Sequence, residues 1–487
     1  MVLAALLVPT CGAGLIALCH RTPDLRDAVT VATAGLLLWI VAALLPGVLA
    51  GDRPALALIT VLPGLDLALE VESFGMLFAL LASGLWLVTS LYSIGYLRAN
   101  HELRQTRFHA CFALALAATT GLAFAGNLFT LFLFYELLTL VTYPLVTHHG
   151  GDEARRAGRT YLGLLMGTSI MLLLPAVVFI AAVAGTTDFR PGGILAGRVD
   201  GVALAGLLAL CVFGIGKAAL MPVHRWLPAA MVAPAPVSAL LHAVAVVKAG
   251  VFSVVKVLVF TFGIEPLAAA GGSDWLVYVA GFTIMAASLV ALNADNLKRR
   301  LAYSTVSQLS YVIMSAALLA PLSLIAAVLH IAAHALGKIT LFFAAGAIYT
   351  ASHKTEVSQL DGIGRRMPWT MGAFAVGALS MIGLPPAAGF VSKWYMLSGA
   401  MSGPSISGTQ WVAVAVIVGS TLLNAGYFLP IIFRAFFRLP VAGDVPAHGE
   451  APWPMVIALT TTATGTILLF FMPGVPLALA RQMLGGG

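Results

Sequence analysis

Residues 214–256 read GIGKAALMPVHRWLPAAMVAPAPVSALLHAVAVVKAGVFSVVK. Two lysines, Lys217 and Lys248, stand in surroundings that otherwise suit a membrane helix, and Pro222, Pro228, Pro234 and Pro236 interrupt the run between them. A lysine at membrane depth is expensive and marks an ion or proton path more often than not. A helix broken at that depth is tolerated only where protein or a water-filled cavity covers the freed backbone groups. Transporters build their sites this way. The stretch therefore reads as half of a proton pathway through a membrane protein.

Composition agrees along the whole chain. Of 487 residues, 60% are hydrophobic and only 9% charged, against about 25% charged in a soluble chain. Apolar stretches of about 20 residues recur throughout, leaving no room for a sizeable soluble domain. The expected fold is an all-α polytopic membrane protein of about fourteen transmembrane helices. Val2–Cys19 lacks a basic leader and reads as a span, not a cleaved signal peptide. Between the second and third spans, LDLALEVE (Leu65–Glu72) alternates and suggests a short β-hairpin on one membrane face. Cys11, Cys19, Cys111 and Cys211 lie in apolar runs without paired or metal-like spacing and read as small buried hydrophobes.

The basic residues set the orientation. Seventeen of the 26 fall in loops after odd-numbered spans, including Arg98, Arg104 and Arg107, Arg155, Arg156 and Arg159, and Lys298, Arg299 and Arg300. Loops after even spans hold only Arg53, Arg190 and Arg198, and Arg481 lies in the tail. The positive-inside rule then puts both termini on the non-cytoplasmic side. The net charge of +7 is mostly this bias, so it points to anionic lipid and not to nucleic acid as a partner.

Five basic residues remain, all lysines within spans: Lys217, Lys248, Lys256, Lys338 and Lys393. The loops favour arginine and the interior uses lysine. Arginine keeps its proton, whereas a desolvated lysine exchanges one. Lys256 lies near a span end, where snorkelling explains it as well as function does. Of 19 acidic residues, Glu136 alone stands within an apolar run, LFLFYELLTLVTYPLV. An unpaired carboxylate there must protonate or find a cation. A helix–helix clamp to a lysine is the plain alternative; a relay of acid and lysines is the functional one.

HIAAHALGK carries His330, His334 and Lys338 at i, i+4 and i+8, on one helix stripe. A metal site is a poor fit, with no third ligand nearby and a lysine to repel a cation. Histidines bonding across helices would be structural; three titratable groups at membrane depth suit a proton wire. His242, six residues before Lys248, either links the lysines through water or is a packed polar residue. In SMIGLPPAAGFVSKWYM, Gly383, Pro385, Pro386 and Gly389 break a second helix, and Lys393 follows. Broken segments in corresponding places suggest inverted repeats. The expected division is an N-terminal unit (residues 1–108), two inverted five-helix repeats (109–261 and 262–433) and a C-terminal span (434–487).

The words KAALMPVHRWLPAAMVAPAPVSALLHAVAVVKAG, NLKRRLAYSTVSQLSYV, HIAAHALGKITLFFAAG and GLPPAAGFVSKW resemble the antiporter-like subunits of the complex I superfamily. That superfamily includes the proton-pumping membrane subunits of complex I, Mrp-type Na+/H+ antiporters and membrane-bound hydrogenases. The resemblance implies that Glu136 pairs with and tunes Lys217, that Lys248 hands protons along the membrane centre, that His330, His334 and Lys338 form the eleventh-span relay, and that Lys393 exchanges with the far side. The chain departs from the family's pattern where Lys256 replaces a usual arginine, Ala235 a common threonine and Ser310 a usual glycine. In length it is similar to the medium-sized members, Mrp D-like or complex I M/N-like.

The implied function is translocation of H+, with possible coupling to Na+, within a multisubunit complex of laterally packed subunits in a prokaryotic cytoplasmic membrane. A redox-driven proton pump of the complex I or hydrogenase type is the near alternative. A structural anchor subunit is one of another class, and a stand-alone transporter of an organic solute is a third. No cofactor is expected, since nothing resembles a nucleotide loop, a haem motif or an iron–sulfur ligand set.

Overall fold

A computed structural model of the chain describes residues 1–62, 65–402, 406–439 and 449–485. The chain is almost wholly helical. It opens with α1 (Val2–Leu18) and α2 (Pro23–Leu49), then one two-stranded antiparallel hairpin, β1 (Ala55–Leu62) and β2 (Leu65–Glu70). The hairpin foreseen in Leu65–Glu72 is there, but its first strand lies upstream and its second ends at Glu70. Glu72 instead caps the next helix: its carboxylate accepts from the N–H groups of Phe74 (2.6 Å) and Gly75 (2.7 Å). An acid at that place satisfies orphan donors and complements the helix dipole.

The helices that follow are α3 (Ser73–Ala99), α4 (Gln105–Ala123), α5 (Leu128–Val146) and α6 (Asp152–Ala184), the last with a π-turn at Ser169–Leu173. Then come α7 (Gly201–Gly214), α8 (Ala235–Phe262), α9 (Asp274–Asn293), α10 (Leu297–Ala317) and α11 (Pro321–Ser352). The chain closes with α12 (Pro368–Ile382), α13 (Ala388–Ala400), α14 (Gly408–Phe437), α15 (Trp453–Phe471) and the short α16 (Gly474–Met483).

Among the described residues, ten helices are long and apolar enough to cross a membrane, so the chain is a polytopic membrane protein. Helices α7 and α12 are apolar but shorter, because each stops at a break. Helices α4 and α10 are long enough but carry too many polar residues to count by apolarity.

Two helices form the axis. No residue of α8 reaches the surface, and α11 packs against α3, α8, α10, α12, α13 and α15. Their burial makes every polar side chain on them a matter of partners, since nothing outside can solvate it.

Candidate functional site

The first break begins where α7 ends at Gly214. A short 3-10 turn, Gly216–Ala218, holds Lys217, and Ala219 follows in the left-handed region (φ 55°). Gly250 of α8 presses on this turn: a Cβ there would stand 2.2 Å from the Ala218 nitrogen, so only glycine lets the two backbones meet. The Trp226 indole N–H donates to the Gly216 carbonyl (2.9 Å), covering part of the freed backbone.

Lys217 is fully buried. Its Nζ donates to the Tyr135 carbonyl (2.7 Å) and the Thr139 hydroxyl (2.5 Å), and lies 3.2 Å from the centre of the Tyr135 ring. The ring face adds cation–π attraction. The backbone N–H of Lys217 donates to the Tyr135 hydroxyl (2.9 Å). Three groups of α5 thus seat the lysine. Glu136, on the same helix, makes no ion-pair contact with it, and both its buried carboxylate oxygens lack a hydrogen-bond partner among the described residues. The pair expected from the sequence is therefore adjacent but not closed.

On α8, Lys248 Nζ lies 2.6 Å from His334 Nδ1 of α11. The His334 and His330 rings lie tilted to one another along α11, with centroids 6.1 Å apart. His330 in turn bonds Ser392 of α13 through Nδ1 (2.9 Å) and Gln308 of α10 through Nε2 (3.0 Å). Ser392 precedes Lys393, whose Nζ donates to the Ile382 carbonyl (2.9 Å) and the Thr421 hydroxyl (3.1 Å). Ile382 is the last residue of α12, so the lysine caps a helix C-terminus, the end where a cation is favoured. Lys338 leaves this line: its Nζ donates to Ser304 (2.6 Å) and the Leu301 carbonyl (3.3 Å) of α10, and the Tyr427 hydroxyl donates to Ser304 (2.9 Å). The His242 ring lies tilted against Phe342 (centroids 4.5 Å), and its two buried ring nitrogens have no partner among the described residues. Lys248, His242, His330, His334 and Lys338 thus lie on the two axial helices, and Lys248, His334 and His330 form a line that Ser392 extends to the residue before Lys393.

Lys256 corrects one reading. It is buried and does not snorkel. Its Nζ pairs with the Glu72 carboxylate at 3.3 Å and donates to the Ala125 carbonyl at 2.9 Å. The helix-capping acid and the second lysine of α8 form a closed charge pair at the end of the axis. Two signals were present: Glu72 directly precedes an apolar run, and Lys256 follows Lys248 at i+8 on one stripe. The acceptors Tyr135, Thr139, Ser304, Gln308 and Ser392 had no such signal.

Residues 125–437 match the family model described as the transmembrane part of NADH:quinone oxidoreductase and Mrp antiporter subunits. The chain belongs to this family. It is similar to subunit N of the NADH-quinone oxidoreductase of Desulforudis audaxviator, 35% identical over 399 residues that cover 80% of this chain and 76% of that one. It is also similar to the A/B component of a probable K(+)/H(+) antiporter of Rhizobium meliloti, 31% identical over 80% of this chain but 38% of the relative. Hydrogenase-4 component B of Escherichia coli is 28% identical, over 83% of this chain and 62% of the relative. Two solved complexes share the fold over 99% of this chain and 97% of theirs. They are the Mrp complex of a Dietzia species (TM-score 0.84, 24% identity) and the archaeal membrane-bound sulfane sulfur reductase (TM-score 0.86, 23% identity). Family membership makes the chain a membrane antiporter-like subunit, and its relatives are named in all three branches that the sequence words resemble.

Proposed function

We infer that this chain is the proton-translocating, antiporter-like subunit of a multisubunit complex in a prokaryotic cytoplasmic membrane. The observation that carries the reading is the line Lys248–His334–His330–Ser392–Lys393. It runs through a buried core where each titratable group costs free energy unless it is used or satisfied. In this reading the bundle has about fourteen spans, two inverted five-helix repeats over residues 109–261 and 262–433, flanking units at 1–108 and 434–487, and both termini away from the cytoplasm. Lys217 and Lys393 stand beside the breaks of corresponding helices, which supports that symmetry.

Lys217 holds its proton on α5 while Glu136 is near. Movement that changes the Glu136–Lys217 distance changes the affinity of the lysine for its proton, because an opposite charge within about 4–6 Å favours the charged form. The proton passes to Lys248, then along His334 and His330 to Lys393, with Lys338 and His242 as side branches. The driving force comes from partner subunits packed laterally, through redox chemistry or exchange with Na+. Relatives named for oxidoreductase, antiporter and hydrogenase complexes support this dependence on partners.

The test uses the intact complex in liposomes. Proton uptake is compared between wild type and the variants Lys217→Ala and Glu136→Ala after assembly has been verified. Uptake should fall at least about 100-fold for Lys217→Ala, the scale of losing a positioned proton-transfer group. Wild-type uptake in both assembled variants sinks the relay and leaves an anchor subunit.

A further inference from the structure

A cavity of about 210 Å³ opens at the N-terminal end of α8, lined in part by Tyr96, Glu102, His149, Ala235, Lys298 and Gly346. Its walls come from the ends of α3, α10 and α11, the loop after α5 and the strand of chain entering α8. These are the ends that carry the arginine-rich loops. The Glu102 carboxylate lies 3.6 Å from His148 Nε2 and 3.7 Å from His149 Nδ1. Across the cavity, Lys298 is half-buried and its Nζ donates to the Ala233 carbonyl (2.5 Å), two residues before α8 begins.

The floor is thin. Ala235 is the first residue of α8, and His242 follows seven residues later, about 10 Å along the helix. Ala345 and Gly346 of α11 also line the cavity, and Phe342, one turn deeper, packs on the His242 ring at 4.5 Å. A Cβ on Gly346 would stand 2.6 Å from Ala235 Cβ and 2.2 Å from the Tyr92 hydroxyl, so only glycine fits at the floor. Below it sit the two buried ring nitrogens of His242, which have no partner among the described residues.

We propose that this cavity is a proton-loading port, in which Glu102, His149 and Lys298 collect protons from the aqueous phase and deliver them to His242. The proposal rests on the relay reading above. The charge environment suits the task. Burial pushes the Glu102 carboxyl up, against the opposing pull of His149 and Lys298. Burial pushes Lys298 down to about 8, against the opposing pull of Glu102. The acid is raised and the base lowered, so the two are brought toward each other. His148 does not share the load: burial, His149, Arg107 and Arg104 push it down to about 4, leaving it neutral. Lys354, Tyr96 and Tyr349 are the remaining ionisable groups on the wall.

The experiment measures proton uptake by the reconstituted complex as pH is varied on the face bearing the port. Glu102→Gln removes the charge that holds Lys298 protonated, so the half-maximal pH should shift down by about one unit. Lys298→Gln removes the charge that keeps Glu102 ionised, so the half-maximal pH should shift up by about one unit. Shifts of opposite sign support the port; an unmoved profile, or two shifts of the same sign, overturns it. A second readout is independent of transport. With native cysteines replaced, Ala345→Cys at the floor should react with a charged, membrane-impermeant thiol reagent from that face as fast as a loop cysteine, and protection overturns the port. If Lys217→Ala transports normally, the relay and the port fall together. If Lys217→Ala stops transport while Glu102→Gln and Lys298→Gln keep the wild-type profile, the port alone falls.

Discussion

Lys217 and Lys393 stand beside two helix breaks and are held in opposite ways. Lys217 rests on the middle of a neighbouring helix, against the Tyr135 carbonyl, hydroxyl-bearing Thr139 and an aromatic face, with an unpartnered acid one residue away from Tyr135. Lys393 caps the C-terminal carbonyl of its own broken helix and pairs with no acid among the described residues; its neighbour Ser392 bonds into the histidine line. The first lysine is placed where a charge can modulate it, the second where a chain of hydrogen bonds can reach it. The same break in the backbone thus supports two different electrostatic tasks.

If that contrast is right, reversing the charge separates the two sites most strongly. Lys217→Glu puts two carboxylates side by side in a buried site, where both cannot ionise, and proton uptake should fall at least about 100-fold. Lys393→Glu meets no acid, and a protonated carboxyl still donates to the Ile382 carbonyl, so uptake should fall only about ten-fold. Equal losses in the liposome assay would erase the distinction.

The breaks themselves differ in how tightly they are pressed. A Cβ on Gly389 would lie 1.7 Å from the Ser380 carbonyl oxygen, and one on Gly250 would lie 2.2 Å from the Ala218 nitrogen. Both Gly250→Ala and Gly389→Ala overpack the core, at about 1–3 kcal/mol each, with Gly389 the worse. Thermal unfolding of the purified complex should rank them so; the reverse ranking would mean that the first break is the stiffer one. Smallest of all, Ser392→Ala removes one neutral hydrogen bond to His330, about 1 kcal/mol. Uptake should slow roughly five-fold, and a rate equal to wild type would detach Lys393 from the histidines.

The sequence carried the elements well and the partners poorly. Span positions follow from runs of apolar residues, and the breaks follow from Gly and Pro, because both signals are local. The stripe of His330, His334 and Lys338 was legible for the same reason: one helix period fixes their common face. The seat of Lys217 was not, since Tyr135 and Thr139 lie about 80 residues upstream and look like ordinary helix residues. Nor does any spacing rule say that the Glu136 carboxylate stands out of ion-pair contact with Lys217. Lys256 was ambiguous for a related reason. A span-end lysine snorkels or pairs according to what lies across from it, and Glu72 is 184 positions away in the chain.

Helix α10 carries Ser304 and Gln308, which hold Lys338 and His330, yet it is among the helices whose composition falls short of a self-sufficient membrane span. It packs along α9, which is apolar enough to enter a bilayer alone. During biogenesis, α9 and α10 therefore have reason to leave the translocon as a hairpin, the first shielding the second. The polar groups that serve the proton line would then constrain the order in which the protein is assembled, and α9, which contributes none of the residues named above, would act as their chaperone within the chain.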